Sequence, residues 1–342
     1  MKGLFCPTQP NKEWFYYAAF FLITVLITFP KFGSGIFIEK TELSNTAIFS
    51  DDIEYIKYVN FFKDVNNKEL PNAPFSYRPL TPFLASFLPF EPRTAINIIN
   101  IAALFFSTVV IFILAKNLFP GGIPLACALL HLISFNSFYY CATARVDSLS
   151  VLFITILLML TLSRRVVLFC LCFVVGLLAK ETIVISLLPF FVFNIKRSNL
   201  VKIFITIALL IVFFIAEQHV IRRCCSSGTS YFWIPTFGIF FENITRPRAI
   251  ASFFLSLGLP GLMSLIFLIR ECCLVVSNRL LLALYSGLFS SVALYFYALA
   301  SAYADGRFIW ICSPYICLIS GFFLTKLKQD RLCEKRSDEA NQ

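Results

Sequence analysis

Charge is scarce in this chain. Only 14% of its 342 residues are Asp, Glu, Lys or Arg, against 58% hydrophobic residues and a mean hydropathy of +0.80. Soluble domains carry about a quarter charged residues, so water is excluded as the main solvent. Histidine is nearly absent, with His131 and His219 alone, and no Cys-x-x-Cys occurs. Both absences exclude the usual zinc and redox frameworks. No repeat recurs at a fixed period, which excludes solenoid architectures. Twelve cysteines are present, but most, such as Cys127, Cys170, Cys172, Cys312 and Cys317, fall inside apolar runs and read as small hydrophobes. The adjacent pairs Cys224-Cys225 and Cys272-Cys273 have no partners at ligand spacing. His131 sits mid-run and reads as a packed, hydrogen-bonded side chain; His219 is loop-borne.

Long apolar runs fill the chain instead. A helix needs roughly 20 apolar residues to cross a hydrocarbon core, and lipid leaves no backbone group unpaired, so helices are the expected element. Apolar windows lie at residues 14–30, 95–115, 122–140, 146–163, 166–179, 182–195, 201–217, 249–269, 280–300 and 308–325. The first follows Lys2 and Lys12 but has no small-residue cleavage site after it, so it counts as a span rather than a signal peptide. The fold class expected is therefore an all-α polytopic membrane protein with about ten transmembrane helices. Residues 1–325 form one transmembrane domain, and residues 326–342 form a basic cytoplasmic tail, disordered after Arg331.

The net charge of +10 sits in short clusters between runs, which topology explains without nucleic acid. With residues 166–195 as a hairpin, Arg164-Arg165, Lys196-Arg197-Lys202, Arg270 with Arg279 and the tail from Lys326 share one face with both termini. That face holds 15 Lys and Arg; the short loops opposite hold only Arg145, Lys180 and Arg307. By the positive-inside rule the basic face is cytoplasmic. Residues 31–94 and 218–248 then lie outside. Within the first, residues 51–64 (DDIEYIKYVNFFKD) place Ile53, Ile56, Val59 and Phe62 at helical spacing, as in a short interfacial helix. The second holds the aromatic run YFWIPTFGIFF, at headgroup level or re-entrant. Asn243-Ile-Thr245 matches a glycosylation tripeptide, which arises often by chance.

Four polar sites stand at the outer ends of spans: Asp51-Asp52 with Arg78, Arg145 with Asp147, Lys180-Glu181, and Asp305 with Arg307. Charges at the ends of apolar helices are costly to dehydrate and mark substrate paths when they face a protein interior. Each also has a plainer reading. Asp51 with Glu54 resembles a capping box; Arg78 and Arg307 resemble interface anchors; Arg145 can pair with Asp147; Lys180-Glu181 can be a simple turn. The functional reading makes the carboxylates a general base or metal ligand and the guanidinium groups phosphate ligands.

The order of these motifs resembles the GT-C class of multi-spanning glycosyltransferases. Asp51, Asp52 and Tyr55 stand where that class has an acidic residue or pair and a tyrosine in its long first extracytoplasmic loop. YRPLTPFLAS, RVDSLSVLF, GLLAKETIVISLLPFF and ADGRFIWICSPYICLIS follow in the class's order. The chain lacks the soluble extracytoplasmic domain that many relatives add. The resemblance implies inverting transfer of a sugar from a polyprenyl-phosphate-linked donor to a glycan or lipid acceptor, at the outer face of a bacterial inner membrane. Asp51 or Asp52 would be the catalytic base. Arg78, Lys180 and Arg307 would surround the phosphate, with Tyr55, Arg145, Asp147 and Glu181 supporting substrate binding. A divalent cation is compatible with such a site, although no residue pattern demands one and no metal ligands are assigned. A transporter or flippase of a lipid-linked glycan, or a non-catalytic envelope scaffold, would show the same polar face without the chemistry.

Overall fold

The computed structural model describes residues 13–40, 50–64, 70–195, 200–225, 234–301 and 305–340. Lys2, Lys12, Lys196, Arg197 and residues 231–233 of the aromatic run lie outside them. Among the described residues the chain is all helical, as its apolar runs require. The helices are α1 (Glu13–Lys40), α2 (Ser50–Lys63), α3 (Leu80–Ser86), α4 (Pro92–Leu118), α5 (Ile123–Leu132), α6 (Phe135–Tyr140), α7 (Asp147–Leu162) and α8 (Val166–Leu177). They continue with α9 (Leu187–Asn194), α10 (Leu200–Cys225), α11 (Phe237–Ile244), α12 (Pro247–Arg270), α13 (Cys272–Ser277), α14 (Arg279–Ser301) and α15 (Ser313–Ala340).

Among the described residues, six helical stretches are long and apolar enough to cross a membrane: Glu13–Phe32, Pro92–Leu118, Ile123–Tyr140, Pro247–Arg270, Arg279–Ser301 and Gly306–Cys333. Four shorter apolar helices cover Asp147–Leu162, Val166–Leu177, Glu181–Asn194 and Ile203–Ala216. The chain is thus a multi-pass helical membrane protein. α4 packs between α1, α5 and α7, and α15 runs beside α12, α14 and α5. The fully buried Trp310, Tyr315, Phe169, Phe173 and Phe190 mark the centre. α8 and α9 are joined through a tight turn at Glu181–Ser186, and Phe169 stacks on Phe190 at 4.1 Å between ring centroids.

Ion pairs tie one end of the bundle. Lys116 pairs with Glu13, Arg270 lies 3.2 Å from Asp330, and Lys326 lies 3.6 Å from Glu271. Phe119 on Phe322, 4.8 Å apart, joins these pairs into one face. The opposite end carries the polar residues.

Several expectations need correction. The run at 122–140 is long and apolar enough to cross, as expected, but it is interrupted between α5 and α6, where Ser134 caps α6 by accepting from the Ser137 amide. α12 is broken at Gly258 (φ 51, ψ −152), a conformation natural only to glycine. Two residues on, Pro260 has no amide for the Ser256 carbonyl; Asn136 Nδ2 donates to that carbonyl instead at 3.1 Å, and Ser256 Oγ donates back to Asn136 Oδ1 at 2.7 Å. A pocket of about 190 Å³ opens at this break, lined by Ser134, Gly258, Pro260 and Ser313 among others.

Helix α2 exists as expected, but its buried stripe is Asp52, Tyr55, Tyr58 and Val59, whereas Ile53 is 41% exposed. Ion pairs and tyrosine hydrogen bonds satisfy the inward polar groups, so the helix turns its polar side to the protein and an isoleucine outward. The tail is not disordered after Arg331, since α15 continues to Ala340. Asn243 is buried and donates to the Leu299 carbonyl at 2.7 Å, which leaves its amide in a packing role. His131 bridges Ser107 Oγ (2.8 Å) and Ser313 Oγ (2.7 Å), as a packed histidine should.

Candidate functional site

The polar end is built from five stretches of chain that the sequence keeps far apart. α2 presents Asp51 and Asp52 in its first turn, where a helix N-terminus favours negative charge. Glu54 does not complete a capping box; it accepts from the Asn72 amide at 2.6 Å and so fastens α2 to the next stretch. Tyr58 donates to the Ser76 carbonyl at 3.1 Å and braces the turn that carries Arg78. Leu80, just beyond, donates its amide to the Leu178 carbonyl at 3.0 Å, which sets Arg78 beside Lys180-Glu181. The turn holding Arg145 is fixed by Asn100, whose Nδ2 donates to the Thr143 and Arg145 carbonyls at 2.8 and 2.7 Å. Gly306 seats the last stretch, its amide donating to Ser252 Oγ at 2.9 Å.

All nine residues singled out in the sequence lie in one array, but the partners cross over. Arg307 Nη1 meets Asp51 Oδ2 at 2.6 Å, with its Nε 3.6 Å from Asp305. Arg145 Nε meets Asp52 Oδ1 at 3.2 Å. Arg93 approaches the other oxygen of Asp52 at 3.8 Å. Lys180 pairs with Asp147, both nearly buried. Arg78 grips Glu181 in a two-pronged pair, its Nε on Oε2 at 2.8 Å, and donates a third bond to Tyr55 Oη at 2.9 Å. Phe308 lies between two cations, 5.3 Å from Lys180 and 5.2 Å from Arg307. Arg145 therefore takes Asp52 as its ion-pair partner while still acting on Asp147 at longer range, and Arg78 and Arg307 are not interface anchors. Lys180-Glu181 does form a turn, one whose two charges point into the array.

The two aspartates differ in character. Burial, the largest single influence, would raise Asp51, but Arg307, Arg145 and Arg78 together outweigh it and hold the carboxyl below its ordinary value. Burial dominates at Asp52, and Arg145 and Arg93 only partly offset it, so that carboxyl sits above its ordinary value. Neighbouring carboxylates pushed in opposite directions suit separate roles. Burial likewise pushes the Tyr55 hydroxyl up to about 12 against the pull of Arg78, so it stays a protonated hydrogen-bonding group at neutral pH.

Beside the array a cavity of about 450 Å³ opens, walled by Tyr77, Val184, Phe214, Leu294, Tyr297 and Ala298, with Arg78 and Glu181 also in its lining. Val184 also borders a second apolar groove of about 420 Å³ that runs on along Leu188, Phe191, Phe204, Ile207 and Ile211. Among the described residues no cluster of His, Cys, Asp and Glu is arranged to hold a metal ion.

Arg93 was not singled out in the sequence, and neither was Asn100; Asp305 appeared only as a neighbour of Arg307. The signal for Asn100 was present, since Asn97 and Asn100 stand one turn apart on an otherwise apolar span. Lys31, which donates to the Tyr139 carbonyl, was hidden at the end of the first run. Comparison with protein-family models, curated proteins and solved structures gives no match.

Proposed function

We propose that the chain is a GT-C-like glycosyltransferase, taking a sugar from a polyprenyl-phosphate-linked donor to a cell-envelope glycan or lipid acceptor. In this reading the four shorter apolar helices complete ten crossings, the array faces the outside of the inner membrane, and both termini are cytoplasmic. The observation that carries it is the meeting of a charged array with a mainly apolar cavity that shares Arg78 with it. An amphiphile with an anionic head and a long hydrocarbon tail fits both halves; a soluble sugar nucleotide fits only the first.

The chemistry follows from the groups present. An Asp51 or Asp52 carboxylate takes the proton of the acceptor hydroxyl as its oxygen attacks the anomeric carbon. The bond from that carbon to the phosphate oxygen breaks with inversion, and the lipid phosphate leaves with the electron pair. Arg78, Lys180 and Arg307 stabilise the charge that grows on it, in a site largely closed to water. Asp52 is the more basic carboxylate, while Asp51 is the more accessible, with side chains 2% and 19% exposed.

The test is transfer by purified protein from a polyprenyl-phosphate sugar, in wild type and in Asp51→Asn, Asp52→Asn and the double variant. Loss of transfer with unchanged expression is expected in the variant that removes the base and in the double variant. Full activity in all three variants would refute the assignment. The broken α12 favours a second reading, since discontinuous helices at membrane depth are common in transporters. Any transfer by the purified protein excludes a purely transporting role.

A further inference from the structure

Among the described residues, each ion-paired base of the array already has an acid partner. Its ion-paired members are five acids, Asp51, Asp52, Asp147, Glu181 and Asp305, and five bases, Arg78, Arg93, Arg145, Lys180 and Arg307. An anion that competes for one of these paired, mostly buried bases is disfavoured unless the resident acid gives way. Glu181 differs from the other four. Its side chain is 34% exposed, whereas Asp51, Asp305, Asp147 and Asp52 are 19%, 8%, 5% and 2% exposed. It is also the one acid of the five in the wall of the cavity of about 450 Å³, and it stands there beside Arg78.

Arg78 is built to survive the departure of Glu181. Its third bond, to Tyr55 Oη at 2.9 Å, comes from a tyrosine that is fully packed in the core. The guanidinium therefore keeps its direction when the carboxylate is gone. Phosphate and carboxylate present the same pair of oxygens to the same fork of N–H donors, so each can stand in the place of the other. Next to Glu181, Thr182 also lines the cavity, and its buried hydroxyl has no hydrogen-bond partner.

We infer that Glu181 is an internal anion seated in the phosphate position: it holds Arg78 oriented in the empty protein and is displaced when a lipid phosphate enters. This rests on the reading that the cavity takes a lipid phosphate. Glu181 therefore lowers affinity for the ligand, in contrast to the basic residues around it, and makes binding conditional on a head group able to compete for the guanidinium. A neutral lipid alcohol, with no anion to offer, leaves the ion pair closed.

The experiment measures binding of farnesyl phosphate and of farnesol to the full chain in lipid nanodiscs. The proteins are wild type, Glu181→Gln, Arg78→Gln, the double variant, and Glu181→Asp, each checked for folding by thermal melting. Glu181→Gln is expected to bind farnesyl phosphate about tenfold more tightly than wild type, the scale of one charge-assisted hydrogen bond, with farnesol unchanged. The gain disappears in the Arg78→Gln background. If Glu181→Gln fails to fold, Glu181→Asp, which keeps the charge but shortens its reach, is expected to gain about threefold. Wild type that prefers farnesyl phosphate, with no gain in either Glu181 variant, overturns the inference and leaves the lipid-phosphate reading standing. Wild type and Glu181→Gln that both fail to distinguish the phosphate from the alcohol overturn the two together.

Discussion

Replacing Lys180 by Met removes the partner of a carboxylate that has almost no access to water. The Asp147 and Lys180 side chains are 5% and 4% exposed. Two unit charges about 4 Å apart attract by roughly 4 kcal/mol at an effective dielectric near 20. Stranding one of them costs about 3–5 kcal/mol, because it also loses its hydration without compensation. Lys180→Met should therefore destabilise the protein by about that amount. Asp147→Asn in the same chain should recover most of it, since neither charge then remains to be satisfied. Some cost persists, as Asp147 also faces Arg307. Thermal unfolding can be followed with a thiol-reactive fluorophore: the exposed Cys272, Cys273 and Cys333 react in the folded protein and set the baseline, whereas the buried Cys127, Cys141, Cys312 and Cys317 react only when the bundle opens. Losses in the two single variants that simply add in the double variant would refute the pairing.

Three further outcomes follow from the same geometry. In Gly306→Ala the new Cβ would lie 2.5 Å from the Ser252 carbonyl oxygen, so the Arg307 turn must shift; melting temperature and sugar transfer should fall together. If Asp52 is the base, transfer falls on the acid side as Asp52 gains its proton. Arg145 lowers and Asp51 raises the Asp52 value, so Arg145→Gln should move the acid limb to higher pH and Asp51→Asn to lower pH, read from rate against pH. Asp51 itself, held low, stabilises the fold above the unfolded carboxylate value of about 3.9. That stability is lost as pH falls through its folded value; Asp51→Asn should flatten the acid side of the melting curve against pH.

The helices were legible because each apolar run is the direct consequence of a lipid solvent, and a run survives almost any detail of packing. The turn between α8 and α9 could be read from the two charges of Lys180-Glu181, too costly to place mid-bilayer. The membership of the polar array was legible for the same reason. Its pairing was not: Asp51 and Arg307 stand 256 positions apart, and nothing local distinguishes that partner from Arg78. The inward side of α2 was not legible, because apolar spacing marks a helix face and says nothing of the polar groups that pack opposite it. Here inward carboxylates and tyrosines, each satisfied by a partner, won over Ile53. The helical tail was missed because a charged composition alone suggests disorder, whereas α15 enters the tail as an already formed helix.

Sided labelling of single cysteines tests most directly whether the separated charges share one face of the bilayer. Glu91, beside the start of α4, and Phe237, at the start of α11, are both exposed at the charged end; Cys272 and Cys273 are exposed at the other. In sealed vesicles, a membrane-impermeant thiol reagent should label Glu91→Cys and Phe237→Cys from one side. The native pair Cys272 and Cys273 should be labelled only from the opposite side. Labelling of Glu91→Cys and Phe237→Cys from different sides would contradict a single outer site and the lipid-phosphate chemistry built on it.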